Sequence, residues 1–312
     1  MAKVATREAY GKALAEFGAD PNIVVLDADL SKSTKTETFL KAYPDRFFNI
    51  GIAEANMMAI AAGMATCGKT VFASTFAIFA ALRACEQVRN SICYPKLNVK
   101  IGATHAGISV GEDGASHQTV EDMAIMRSLP NMTIMCPCDG VETRAAVKAA
   151  IDLKGPVYLR LGRLALPEVH QADNFNFELG KGIQIKDGSD VTIIATGLMV
   201  YKSLEAAEML KAQGIDARVI DMHTIKPIDQ DIIIKAAKET GAIVTAEEHS
   251  IVGGLTGAVS EVLVQNYPTP LKAVAINDTF GKSGKPDELF VEYGLTPENI
   301  VKQAQEVMKI KK

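Results

Sequence analysis

The sequence predicts an α/β protein of two doubly wound domains, a mainly parallel-sheet domain followed by a smaller α/β domain. Short β-branched runs alternate with helical stretches along the whole chain, the pattern of parallel strands covered by helices on both faces. Periodicity lapses once, over 167–181 (PEVHQADNFNFELGK), and the alternation then resumes. At 312 residues the chain is long for one open α/β domain and comfortable for two. The expected units are therefore 1–166 and 182–312, with 167–181 as the linker.

An amphipathic helix pattern, MAKVATREAYGKALAEFG, opens the first unit, followed by a strand in NIVVLDADL (22–30). A helix over 53–66, a strand TVFA (70–73), a helix through 76–91 and a strand LNVKIGAT (97–104) come next. The unit closes with a helix near 119–127, MTIMC (132–136), a helix from Asp139 and VYLRL (157–161). In the second unit the strands are DVTIIAT (190–196), DARVIDM (216–222), GAIVTAEE (241–248) and LKAVAI (271–276). Its helices run through Lys211, from Asp229, after Gly257 and from Thr296. Gly253-Gly254-Leu-Thr-Gly257 lacks the dinucleotide spacing and reads as a tight helix entry.

The run 53–68 (AEANMMAIAAGMATCG) carries one charge, Glu54, and shows no polar face at any helical phase. Such a helix is expected to be enclosed on all sides. An acid carried into apolar surroundings needs a protonated or cationic partner, or its pKa is forced upward. No Lys or Arg lies between Phe47 and Gly68, so the partner must come from elsewhere in the fold, from another chain or from a ligand. The plainer alternative is an acid that enjoys the free N–H groups and dipole of a helix start.

Ligands of parallel α/β sheets bind beyond the carboxyl ends of strands, which directs attention to the loops there. One is Asp27-Ala-Asp29-Leu-Ser-Lys-Ser33, a second precedes Glu54, and a third, 104–118 (THAGISVGEDGASHQ), gathers two of the five histidines. Glycines in the third allow close backbone approach, while its His and Asp side chains can bind hydroxyls or exchange protons. Phe76 and Phe79, three apart on one expected helical face, suit core packing or a stacking wall for a flat heterocycle. Arg160 and Arg163 follow a strand as LRLGR, where guanidinium forks suit phosphate or a salt bridge.

Composition narrows the remaining classes. With 48% hydrophobic and 22% charged residues the chain is globular, and no apolar stretch reaches the length of a membrane span or forms a signal core. A cytoplasmic location without membrane contact follows as the expectation. A net charge of −4 offers no general attraction to nucleic acid, so an anionic substrate must be caught by a few local cations. The five cysteines fall in expected core or strand segments and read as free buried thiols. Cys136-Pro-Cys138 is tighter than zinc or redox spacing and reads as structural.

In order, ATRE, DADLSKS, NIGIAEANM, STFAIF, THAGISVGEDGASHQ, PNM, PCD and GPVYLRLGR resemble the pyrimidine-binding half of transketolase. IKPID and GGLTGAVSEVL resemble the C-terminal domain of the same superfamily, so the resemblance spans nearly the whole chain. It implies thiamine diphosphate as cofactor, with Glu54 bonded to the ring nitrogen of its aminopyrimidine and Phe76 and Phe79 holding that ring. Asp29 matches a residue that approaches the cofactor. Arg7, Ser33, His105 and Arg163 match groups that grip a sugar phosphate's terminal phosphate, and Asp113 and His117 match groups bonded to sugar hydroxyls. Glu54 and His117 are the implied catalytic residues.

Ala53 stands where the family often has arginine, and Leu82 where it has a tyrosine of the aromatic pocket. HAGISVGEDG leans partly toward 1-deoxyxylulose-5-phosphate synthases, whereas Thr104-His105 and Gly111-Glu-Asp-Gly114 favour transketolase. The Gly-Asp-Gly motif that holds metal and diphosphate in full-length relatives does not occur. The resemblance therefore implies the C-terminal subunit of a split transketolase. A separate N-terminal-type subunit would hold the diphosphate and its Mg²⁺ or Ca²⁺, in a homodimer or heterotetramer that moves two-carbon ketol units between sugar phosphates of the pentose phosphate pathway. A synthase-like subunit, a 2-oxo-acid dehydrogenase β-like subunit and a non-catalytic scaffold remain as alternatives.

Overall fold

The computed structural model describes residues 3–311. Its first strands are β1 (Lys3–Ala5), β2 (Ile23–Asp27), β3 (Phe47–Asn49), β4 (Thr70–Phe76), β5 (Val99–Thr104), β6 (Thr133–Met135), β7 (Val157–Arg160) and β8 (Ala165–Pro167). The second half supplies β9 (Ile183–Lys186), β10 (Val191–Ala195), β11 (Ala217–Asp221), β12 (Thr224–Lys226), β13 (Ile243–Ser250) and β14 (Leu271–Ile276). The larger sheet runs β12-β6-β7-β5-β4-β2-β3 and the smaller β14-β13-β10-β11-β9. Each is parallel apart from one antiparallel edge strand, β12 or β9. The fold class is thus the expected two-part α/β arrangement.

Burial explains the strand order. Every residue of β4, β5, β7, β10, β11 and β13 is buried, as strands covered by helices on both faces require. β12 comes from the second half of the chain yet extends the first sheet, pairing Thr224 with Met135. β1 pairs antiparallel with β8 and so ties the start of the chain to the end of the first unit. Among the described residues no helix is long and apolar enough to cross a membrane.

Four expectations change. The Glu54–Thr66 helix buries Glu54, Met57, Met58, Ala61, Ala62 and Ala65, but Asn56, Ala59, Gly63 and Thr66 form an exposed stripe. It is therefore not enclosed within this chain, because alanine and glycine carry no signal of which face meets the chain's own core. Phe76 and Phe79 do not share a helical face: Phe76 ends β4, and Phe79 opens a π-helical turn, Phe79–Arg83. Cys67 is exposed and Cys85 only partly covered, although all five thiols are free. Finally, the Leu255–Asn266 helix starts before Gly257, its first N–H groups capped by the buried Glu247 carboxylate, which accepts from Leu255 at 2.7 Å and Thr256 at 2.8 Å. A Cβ on Gly254 would meet that carboxylate at 2.1 Å, which accounts for a glycine there.

Candidate active site

The approach to Glu54 is built by a reciprocal clasp. Asp29 accepts from Asn49 Nδ2 at 2.8 Å while Asn49 Oδ1 accepts from the Asp29 amide at 3.0 Å and from the Gly51 amide at 3.0 Å. Asp29 adopts a positive φ of 63° to make these contacts. Its carboxylate is exposed and bonds Asn49 rather than Glu54. Beneath the loop, Asp27 is buried among the Thr34 and Thr36 hydroxyls and the Leu30 amide, and loss of water pushes its carboxyl up to about 6.

Glu54 is 1% exposed at the first position of its helix. Its partner is Arg83, which sequence reasoning did not select: Nη1 donates to both carboxylate oxygens at 2.9 Å. The Arg83 guanidinium also lies 4.2 Å from the centroid of the Phe79 ring. The i to i+4 spacing of Phe79 and Arg83 is the signal that could have found this contact. Phe79 and Phe76 stack at 5.8 Å and 12°, and Phe76 in turn stacks on His105 at 3.9 Å. His117 meets both phenylalanines edge-on, at 5.6 Å from Phe79 and 6.3 Å from Phe76. One carboxylate and one aromatic face thus already accept a flat, proton-bearing nitrogen group, the chemistry that an aminopyrimidine would present.

His105 joins this aromatic group to the cationic one. It holds φ at 57°, with Nε2 3.1 Å from Arg7 Nη1 and Nδ1 2.9 Å from Thr104 Oγ1. Arginine can only donate, so Nε2 accepts and the ring proton sits on Nδ1. Burial, then the nearby Arg7 and Arg163, push the imidazole down to about 3 and keep it neutral. Arg7 also donates to the Ser33 carbonyl at 3.0 Å, and burial followed by repulsion from Arg163 lowers its own pKa. Arg163 donates to the Val110 carbonyl and lies 3.4 Å from Asp113. Arg160 is elsewhere engaged, locked to buried Asp122 at 2.9 and 3.1 Å.

The second half of the chain shapes the third loop. Glu248 accepts from the Ser109 amide at 2.6 Å, and burial pushes its carboxyl up to about 7. Gly107 needs its positive φ of 83°, and a Cβ there would strike Glu248 at 2.2 Å. Gln118 Nε2 donates to the carbonyls of Ile108, Gly111 and Lys282, which pins the loop to both halves. One cluster is cationic, with Arg7 bonded to the Ser33 carbonyl and to His105, and Arg163, paired with Asp113, close enough to repel Arg7; a second, of Glu54, Phe76, Phe79, His105 and His117, shares His105 with it. Asp29 stands apart from both, on the clasp that leads to Glu54.

Comparison with known proteins gives these networks a family. Residues 2–169 match the profile of the transketolase pyrimidine-binding domain and residues 180–300 that of the transketolase C-terminal domain. The chain is 52% identical over 306 residues to a candidate transketolase C-terminal section of Methanocaldococcus jannaschii, covering 97% of this chain and 96% of that one. It is 42% identical over 306 residues to the 6-deoxy-6-sulfo-D-fructose transketolase subunit SqwH of Clostridium sp., with 98% and 95% covered. A solved split-gene transketolase, an inactive beta4 tetramer, superposes with a TM-score of 0.93 at 58% identity, covering 99% of this chain and 100% of that one.

Proposed function

The chain belongs to the transketolase family, and from that premise we propose that it is the C-terminal subunit of a two-chain transferase dependent on thiamine diphosphate. Residues 1–166 hold the pyrimidine and the sugar phosphate, and 182–312 brace the loop around them. The carrying observation is Glu54, a buried carboxylate whose bonded partner, the Arg83 guanidinium, lies over the Phe79 ring where a flat nitrogen heterocycle would sit. Glu54, Phe79 and the second-layer ring Phe76 would hold the aminopyrimidine, with Asp29 fixing the loop that presents Glu54. When bound, the cofactor supplies a carbon that accepts the electrons of a broken carbon–carbon bond.

Each side chain has a definable task. Glu54 holds a proton on a ring nitrogen, and its dry surroundings strengthen that bond. Arg7 and Arg163, with Ser33 and the neutral His105, form the anchor for the substrate's terminal phosphate, for which arginine forks are suited. Asp113 accepts from sugar hydroxyls, and His117, at the edge of both aromatic rings, moves protons to and from them. The exposed stripe Asn56, Ala59, Gly63 and Thr66, flanked by exposed Ile52 and Leu82, is the face left for another chain. That second, N-terminal-type subunit supplies the diphosphate site and its Mg²⁺ or Ca²⁺. The beta4 form of the split-gene relative is named inactive, which agrees with a need for the second subunit.

Reconstitution tests the reading. Mixed with the N-terminal-type subunit, thiamine diphosphate and Mg²⁺, the chain should transfer a two-carbon ketol unit from xylulose 5-phosphate to an aldose phosphate. Release of carbon dioxide from pyruvate in place of ketol transfer would move it to the dehydrogenase-type subunits. Full activity of Glu54→Gln in the same assembly would leave only a scaffold role. A sulfonate-bearing ketose belongs in the panel, because the SqwH relative is named for one and the two guanidiniums suit either anion.

A further inference from the structure

A second constellation lies away from the candidate active site, where the two halves of the chain meet. It brings together Cys138 before the Gly140–Asp152 helix, Glu142 in that helix's first turn, His170 just after β8 and Asp221 at the end of β11. One donor atom from each lies within 4.8 Å of every other. His170 Nε2 is 2.9 Å from Asp221 Oδ2 and 3.8 Å from Glu142 Oε1, and Cys138 Sγ is 3.3 Å from Asp221 Oδ2.

We propose that Cys138, Glu142, His170 and Asp221 form a closed binding site for a zinc-like divalent cation that joins the two domains. Donors at about 2.0–2.3 Å from a tetrahedral ion stand roughly 3.3–3.8 Å apart; the Cys138–Asp221 and His170–Glu142 separations of 3.3 and 3.8 Å match this, the His170–Asp221 separation of 2.9 Å is shorter, and all four donors lie within 4.8 Å of one another. Donor chemistry selects the class of metal. Thiolate and imidazole together suit zinc, whereas Mg²⁺ and Ca²⁺ favour all-oxygen shells. Four protein ligands make a structural site with no open position.

Charge and unmet bonding point the same way. Glu142 and Asp221 are fully buried, and each keeps one carboxylate oxygen without a partner, Oε1 and Oδ1. Buried polar atoms of this kind are costly unless something bonds them. Among the described residues no lysine or arginine pairs with either acid, and His170 is their sole ion-pair partner. The cradle is also braced: Asp139 accepts from the amides of Glu142, Val169 and His170 at 2.8 Å each. Sequence spacing alone hid the site, because Cys138 acts without Cys136 and two of its partners, His170 and Asp221, are distant in the chain.

Metal analysis of the 312-residue chain, purified without a metal column and dialysed, tests the proposal. The expected result is about one zinc per chain, a fall in Tm on chelation and its recovery on adding zinc back. Cobalt loaded into the stripped protein should show thiolate-to-cobalt charge transfer, lost in Cys138→Ser and kept in Cys67→Ser. Stripped wild-type chain that takes up no zinc against a chelating dye overturns the site without recourse to any variant. So does a folded Cys138→Ser, His170→Ala double variant that binds zinc as tightly as wild type.

Discussion

Asp122 with Arg160 and Glu54 with Arg83 are both carboxylate–arginine pairs of the first half of the chain, and they are closed in opposite ways. Asp122 and Arg160 are 0% and 5% exposed, joined by two bonds, with Tyr158 donating to Asp122 at 2.9 Å and Arg160 reaching the Glu248 carbonyl at 3.0 Å. Glu54 is buried as deeply, but Arg83 is 49% exposed and offers one nitrogen to both oxygens. The first pair has reinforcing partners on each side and cannot open without stranding a buried charge. Under the proposed function, the second would exchange its half-exposed cation for another proton-bearing nitrogen, so that the buried carboxylate never stays unpaired.

The largest way to break this contrast is Glu54→Gln. In the reconstituted enzyme kcat should fall by about 10²–10⁴-fold, the usual worth of a positioned acid–base group. Stability of the chain should shift by about 1 kcal/mol or less, since the amide keeps the shape of the site. Asp122→Ala should do the reverse. It strands the Arg160 guanidinium and should cost about 3–5 kcal/mol, read from the urea midpoint, while any protein that stays folded keeps its kcat.

How far the sequence announces each pair follows from chain distance. Glu54 is legible because a lone acid in an apolar run demands a partner, and the alternating strands announce the parallel sheets. Arg83 is harder to see, since a π-helical turn separates it from Phe79 and no hydrophobic period marks such turns. Asp122 and Arg160 meet only after two intervening segments fold, and sequence alone left Arg160 a choice between an anion and a salt bridge. The short edge strands β3, β9 and β12 escape notice because three or four residues carry no alternation. The exposed stripe of the Glu54–Thr66 helix misleads for another reason: its alanine and glycine suit a core face as well as an exposed one, and Asn56 and Thr66 are too few to mark a polar face.

A third arginine sharpens the contrast through pH. Arg7 donates to a neutral His105 held down to about 3, against an ordinary value of 6.5. Between those values the unfolded chain takes up a proton that the native ring refuses, so stability is lost as pH falls from 6.5 toward 3. His105→Gln removes that component. Between pH 7 and pH 5 the variant should lose about 2 kcal/mol less stability than wild type, measured by denaturation at each pH. Equal slopes would mean that the native ring titrates freely and that Arg7 does not fix its tautomer.

Arg83→Ala carries the smallest effect and the finest discrimination. Solvent screens the half-exposed Arg83 side chain, but its removal leaves the buried Glu54 carboxylate without its partner, so the isolated chain should lose about 1–2 kcal/mol. In the reconstituted enzyme the substitution should leave kcat within about tenfold of wild type, because Glu54 keeps its own proton-holding task. The stability cost should also shrink once thiamine diphosphate is added, as a ligand that bonds Glu54 replaces the lost partner. A kcat loss as deep as that of Glu54→Gln would instead place Arg83 in the proton machinery, and the two pairs would then differ in exposure but not in how firmly the site depends on them.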